Sequence, residues 1–507
     1  MKKLLTLTIL LISLSVIGQQ NKIKIKSVLI PETDELLIQQ ELLFINHTDS
    51  TFNNIYLHNW ANSFENRKTP LSKRYIKNFK KELYFAKKEN LGSSKINNLS
   101  IDFDEINFEV LKNQQDIIKI PLNTPLAPKD SITISASYKV KIPNAKFTKY
   151  GKTNKGYNLR YWYLTPAVYQ NGWNLMSNLS LDDLFENPTD FDIELEVPKD
   201  YFVESNIYQY VTREDDHKNY YLIAKNKSDV FLSIHKEKQL RNFKTNEINV
   251  YTDVLSDNID YKKTTEILEK ELNFIKSYLG KYPHKEIYLD EISQKKDPVY
   301  GLNQLPDFLK PFPEEFNWEI TMLKALTRKY LQNTLFLNKR KDYWLLDGIQ
   351  NYLMIEYLER FHPNTKLLGK YSKKWFLKNY NFSKLDFNDK YPLVYQFISR
   401  QFLDQSLSTS ADSLSNFNQK VANKYKAGLG FRYLKGYLGK EVLNKTLEEF
   451  YQKNKLQITS SKVFEDLLKK NTTKEIDWFF GDFINTNKKI DYTIDNVTET
   501  NDSLKVT

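Results

Sequence analysis

Alternation of apolar and polar positions dominates the first half of the chain. In NKIKIKSVLI, residues 21–30, lysine and isoleucine take turns from Lys22 to Lys26, and ITISASYKVKI, 132–142, and FDIELEVP, 191–198, keep the same period of two. Successive strand side chains point to opposite faces, so each segment predicts a half-buried strand. Turn residues bound them, and together they predict an antiparallel β domain reaching to about residue 245. The period then changes. YKKTTEILEKELNFIKSYLG, 261–280, puts Ile267, Leu268, Leu272, Ile275 and Leu279 on one helical face and stops at Gly280. EINVYTDVL, 247–255, and EIYLDEIS, 286–293, are strand-like, and the rest is helix-rich, with helices expected at 318–335 and 344–361 and later in KVFEDLLKK and WFFGDFI. In the first of these, Ile320, Leu323, Leu326, Tyr330 and Leu331 form the apolar stripe, while Lys324 and Arg328, four apart, share a neighbouring face. The last stretch returns to alternation, and the strand-like LKVT has no evident partner. It is either a short final strand joining an earlier sheet or the beginning of a further β domain in a longer chain.

Composition keeps the chain in the folded class. Its 507 residues are 40% hydrophobic and 14% aromatic, which excludes a disordered or fibrous chain. The start, MKKLLTLTILLISLSVIGQQ, has two lysines, an apolar run from Leu4 to Ile17 and the small Gly18 before polar residues, the pattern of a secretory signal peptide over 1–18. The run is too short for a membrane anchor, so the expected location is periplasmic or extracellular and soluble, with no membrane span. The absence of cysteine removes disulfides, thiolate nucleophiles and thiolate metal sites together. Net charge is +11, yet lysines are interleaved with acids along the chain, which points to a solvated surface and away from a nucleic-acid partner.

The stretch from 301 to 353 carries the candidate chemistry. YGLNQLP, KALTRKYLQN and WLLDGIQNY follow one another, with 18 residues, 329–346, between Arg328 and Asp347. In order and spacing they resemble the G-x-M-E-N, H-E-x-x-H-x-W-x-G-N and W-L-N-E-G segments of the aminopeptidase N (M1) family of zinc metallopeptidases. Asn333, Trp344, Leu345, Gly348 and Tyr352 match that pattern directly. IYLHNWANSFENRKTPLSKRY, 55–75, and LRYWYLTPAVYQNGWN, 159–174, resemble β-domain segments of bacterial envelope members, and YKAGLGFRYLKGYLG, 425–439, resembles the segment bearing the family's transition-state tyrosine. The resemblance implies an α+β multidomain fold, in which an N-terminal antiparallel β-sandwich or saddle domain over 19–245 precedes a thermolysin-like, mainly helical domain over 246–490, with a strand-like tail over 491–507.

Carried over position by position, the same resemblance implies a degenerate site. The two ligand histidines become Lys324 and Arg328, which offer a metal no free lone pair, the general base becomes Ala325, and the third ligand shortens to Asp347. The acid that holds a substrate's amino terminus becomes Gln304, preceded by Asn303, leaving the Gly301 turn and Tyr425. The six histidines, His47, His58, His217, His235, His284 and His362, have no i, i+4 ligand spacing on a helix. The expectation is therefore no zinc or other cofactor and no peptidase activity, with peptide or protein bound by the former cleft and the Gly301 strand edge. Asp347 could accept from both cations, giving the same +1 sum as zinc with two histidines and a carboxylate. Left uncompensated, the pair would favour anionic groups. A purely structural envelope protein with a filled cleft is the alternative, and an active zinc aminopeptidase the third reading.

Overall fold

The computed structural model describes residues 20–302, 305–489, 494–500 and 502–506, so the expected signal peptide lies outside the described residues. The chain packs as two compact units, one of residues 1–340 with 448–460 and the other of 341–447 with 461–507. This division by compactness is separate from the change of pattern at 245, which marks where strands give way to helices.

In the first unit an eight-stranded sheet is built from β1 (Asn21–Ile30), β2 (Glu35–Ile45), β3 (Ser93–Ile101), β4 (Asp104–Glu105), β5 (Ser131–Lys141), β6 (Thr189–Pro198), β7 (Tyr208–Arg213) and β8 (His217–Lys227). Their order is β7-β8-β6-β1-β2-β5-β3-β4. Pairing is antiparallel except between β1 and β6, which run parallel with Asn21 opposite Thr189. The alternation works as expected: Ile23 and Ile25 are buried while Lys24 and Lys26 are exposed and pair with Glu41 at 3.5 Å and Glu194 at 3.3 Å. Ile55, Ile118 and Ile120, from the strands Phe52–His58 and Gln114–Leu126 of a second sheet, share the same apolar core. Gln40 is buried in it because the backbone of Leu164 satisfies its amide, accepting at 2.7 Å and donating at 3.1 Å.

A three-stranded sheet follows, Arg241–Lys244, Asn249–Thr252 and Glu286–Leu289, the last two parallel across the helix α1 (Tyr261–Leu279). Asp260 caps α1, accepting from the Lys263 amide at 2.8 Å, and Gly280 ends it at φ 77°. EIYLDEIS is strand only to Leu289. The Asp290 carboxylate accepts from the Ser293 amide at 2.7 Å and starts a short helix, Glu291–Lys296, which β-periodicity conceals. The helix α2 runs Glu314–Gln332, beginning before the expected 318 because Glu314 and Glu315 favour a first turn. Leu335–Phe336 pairs with Gln457–Ile458, returning the chain to this unit.

The second unit is mainly helical, with α3 (Tyr343–Phe361), α4 (Lys390–Arg400), α5 (Asn423–Leu438) and the helix Ser461–Asn471. Its end, Val497–Thr500 and Ser503–Val506, is an exposed antiparallel hairpin, so the terminal strand pairs with its own neighbour. The architecture is the mixed α+β one expected, strands first and helices after.

Candidate functional site

The two cations of α2 lie one turn apart on a helix whose other faces are already committed to the core. Ile320, Leu323 and Leu326 are fully buried, and Lys324 is itself only 7% exposed. A lysine so buried needs a partner. Its Nζ donates to Asp297 Oδ1 and to the Pro298 carbonyl, each at 2.9 Å. Arg328 Nη1 reaches the other oxygen of Asp297 at 3.4 Å, and its Nε donates to Gln332 Oε1 at 3.2 Å. One carboxylate thus bridges both cations. Asp297 is available there because it closes the short helix 291–296, where its amide donates to the Ser293 carbonyl.

The cluster continues behind Arg328. Asp182 lies 4.0 Å from Arg328, 2.6 Å from Lys296 and 3.1 Å from Arg160, which also binds Asp229. Burial alone would push the Asp182 carboxyl up, but Lys296, Arg328 and Arg160 outweigh it and hold the group well below the usual carboxylate range. Lys324, Arg328, Lys296 and Arg160 thus alternate with Asp297, Asp182 and Asp229 through the cluster. The residue after Arg328 on α2, Lys329, pairs with Asp290 at 3.3 Å. Ala325, where the resemblance led us to expect the replaced general base, is buried and brings no polar atom.

Asp347 lies near the start of α3 in the second unit, with Lys424 of α5 at 3.7 Å. Two glycines let α3 and α5 approach. A Cβ on Gly348 would stand 2.5 Å from the Phe431 ring, and one on Gly428 would stand 2.5 Å from Asn351 Cβ. Beside Lys424, Tyr425 is buried, its ring 4.6 Å from that of Tyr391. Burial, and then the Tyr425 hydroxyl, push the Tyr391 hydroxyl well above its ordinary range.

Gly301 lies in a turn and not on the expected strand edge; its φ is 90° and a Cβ there would meet nothing within 4 Å, so glycine is required by conformation and not by crowding. Asn303 and Gln304 lie outside the described residues. Sequence reasoning found Lys324 and Arg328 but not Asp297 or Asp182, which complete the cluster. The only linear signal was the D-P pair at 297–298, a turn signature without chemical meaning by itself.

A zinc ion needs uncharged imidazole or anionic donors converging on one point. The α2 positions supply an ammonium and a guanidinium, both already donating to Asp297, so this donor set does not fit the metal. Among the described residues no group of three or more His, Asp or Glu could hold a metal ion. The described histidines are dispersed, and burial drives both His58 and His284 down to about 3, as neutral structural side chains.

No protein-family model matches the chain, and no curated protein matches it in sequence. Solved structures do. The M1 zinc metallopeptidase from Deinococcus radiodurans superposes with a TM-score of 0.59 at 11% identity, over 93% of this chain and 94% of that one. A substituted form of that enzyme bound to a Tyr-Ser-Ala substrate gives 0.58 at 11% identity, over 93% and 95%. A two-domain M1 zinc metallopeptidase bound to L-tryptophan gives 0.58 at 12%, over 94% and 96%. The fold is therefore that of the two-domain M1 zinc metallopeptidases, nearly end to end. Among the described residues no helix is long and apolar enough to cross a membrane.

Proposed function

We propose that this chain is a catalytically silent version of the M1 peptidase fold, exported to the bacterial envelope, which binds peptide or protein and does not hydrolyse it. The observation that supports the reading is the Lys324–Asp297–Arg328 bridge, at the positions that the sequence resemblance gives to two metal ligands. Polarising a scissile carbonyl and activating water at neutral pH are the metal's tasks in such an enzyme. Two arginine- and lysine-borne charges tied to an aspartate do neither. Tyr425 would then have no polarised carbonyl to assist.

Because Gly301 lies in a turn, peptide capture in its region would rest on side-chain contacts and not on strand addition. Because Asp297 takes up both cations, selectivity for a peptide carboxylate should be modest. The test has two arms. Purified protein dialysed against zinc and assayed with aminoacyl chromogenic substrates should retain no stoichiometric metal and show no turnover, and one bound zinc with hydrolysis would overturn the silent reading. Titration calorimetry with paired free-acid and C-terminally amidated peptides should give binding with little difference between the pair. No heat with any peptide would favour the second reading, a structural or assembly protein. The closed ion cluster favours that alternative too.

A further inference from the structure

Lysines are spread along most of the chain, but one segment of the second unit concentrates them with aromatics. GKYSKKWFLKNYNFSK, residues 369–384, lies in a stretch without any acid from Arg360 to Leu385. Lys370, Lys373, Lys374, Lys378 and Lys384 are exposed, and none forms an ion pair with a described residue; Lys366, just before them, is taken by Asp386 at 2.7 Å. Among these lysines stand Trp375, 83% exposed, Phe376, 53%, Tyr380, 67%, and Phe382, 52%. Four large aromatics so exposed within eight residues form a local apolar patch, since the chain between them spans at most about 28 Å.

The segment is not a loose loop. It consists of consecutive short helical turns, Gly369–Lys373, Trp375–Lys378 and Asn381–Lys384, fastened from beneath. Ser383 is buried and its hydroxyl donates to the Tyr380 carbonyl at 2.8 Å, Ser372 does the same to Gly369 at 2.8 Å, and the Leu367 amide donates to the Leu385 carbonyl at 2.9 Å, tying the two ends of the segment together. The aromatics are therefore held outward by the local fold.

We propose that the face formed by residues 369–384 docks on an anionic lipid surface, the aromatic rings seating at the headgroup level and the five lysines pairing with lipid phosphates. The composition chooses between lipid and protein as the occupant. Protein interfaces are depleted in lysine at their cores, whereas a lipid interface takes up Trp, Tyr and Phe together with flexible ammonium groups. Anionic headgroups supply the negative charge that the segment itself lacks, each lysine near such a surface strengthening binding about fivefold. This inference stands apart from the α2 cluster and from any peptide binding.

Trp375 provides the probe, because it is the one exposed tryptophan of seven. The full chain is mixed with vesicles of phosphatidylcholine alone or of phosphatidylcholine and phosphatidylglycerol in equal parts. Sedimentation should carry the protein down with the mixed vesicles only, with a blue shift of its emission, and added salt should release it. Lys373→Glu with Lys374→Glu should weaken binding more than about tenfold. Trp375→Ser with Phe376→Ser should weaken it and remove the blue shift, while Phe103→Ser, at a 99% exposed aromatic of the first unit, should leave it unchanged. Circular dichroism melting of each variant confirms that the fold persists. Failure to bind mixed vesicles, equal binding to both vesicle types, or binding indifferent to the 373–376 substitutions would overturn the proposal, and the first of these would point to a protein as the occupant.

Discussion

Lys324 and Asp297 meet at 2.9 Å through side chains that are 9% and 11% exposed, and the same carboxylate reaches Arg328. A pair so shielded behaves as a buried one, whose net worth against apolar residues is small but whose half-removal is costly. Asp297→Asn should therefore destabilise the protein by about 3 kcal/mol, read as a lower denaturant midpoint at unchanged slope. Adding Lys324→Met and Arg328→Leu should recover most of that loss, because the stranded charges go with it. A midpoint that Asp297→Asn does not move would mean the bridge is incidental.

Metal content provides a second check, tied to the same residues. Both α2 cations already donate to Asp297 and neither offers a lone pair, so Asp347→Ala should leave the trace zinc of dialysed protein unchanged. Elemental analysis showing loss of near-stoichiometric zinc on that substitution would contradict the expectation.

Two buried groups set opposite limits on stability against pH. Glu271 is fully buried, and burial followed by the Glu319 charge pushes its carboxyl well above 4.5. Its stabilising contribution is complete below 4.5 and is lost as pH rises toward its folded value, by at most about 1.4 kcal/mol per unit. His58 acts on the other side, held down to about 3 by burial and by Arg340. Between 6.5 and 3 the unfolded chain binds a proton that the folded chain refuses, so acidification through that window destabilises at a similar slope. Melting at several pH values should show Glu271→Gln raising stability at pH 8 more than at pH 5. His58→Gln should flatten the acid limb, and equal effects at all pH would refute both assignments.

Periodicity made the elements of this fold legible, because each buries one face: Ile23 and Ile25 inward with Lys24 and Lys26 outward on β1, and the Ile320–Leu331 stripe on α2. It also put Lys324 and Arg328 on one face, since spacing along one helix fixes which side chains are neighbours, while the family resemblance alone marked them as a site. It could not reveal their carboxylate. Asp297 is 27 residues from Lys324 and belongs to a helix end, and Asp182 sits in a β-domain loop, so both contacts depend on tertiary packing that no local pattern encodes. The missed start of the helix at Glu291 has a similar origin, because a single capping side chain, Asp290, decides it against a run that alternates.

The packing of α3 on α5 provides the last prediction. Replacing Gly348 by Ala should help on helix propensity alone, by about 1 kcal/mol at an interior position. The added Cβ, however, would stand 2.5 Å from Phe431 Cε2 and 2.8 Å from its Cδ2. That ring is 0% exposed and confined by Tyr352, at 6.2 Å, and Phe464, at 5.6 Å, so it has little room to give. Overpacking of a filled core costs about 1–3 kcal/mol, which exceeds the propensity gain. Gly348→Ala should therefore destabilise, and Gly348→Val more so. In a Phe431→Leu background, where the ring edge is gone, the same Gly348→Ala change should become neutral or stabilising. That reversal of sign, measured by a double-mutant cycle in denaturant, separates a steric cause from a backbone one. If Gly348→Ala is stabilising in both backgrounds, the close approach of α3 to α5 does not set the residue at 348.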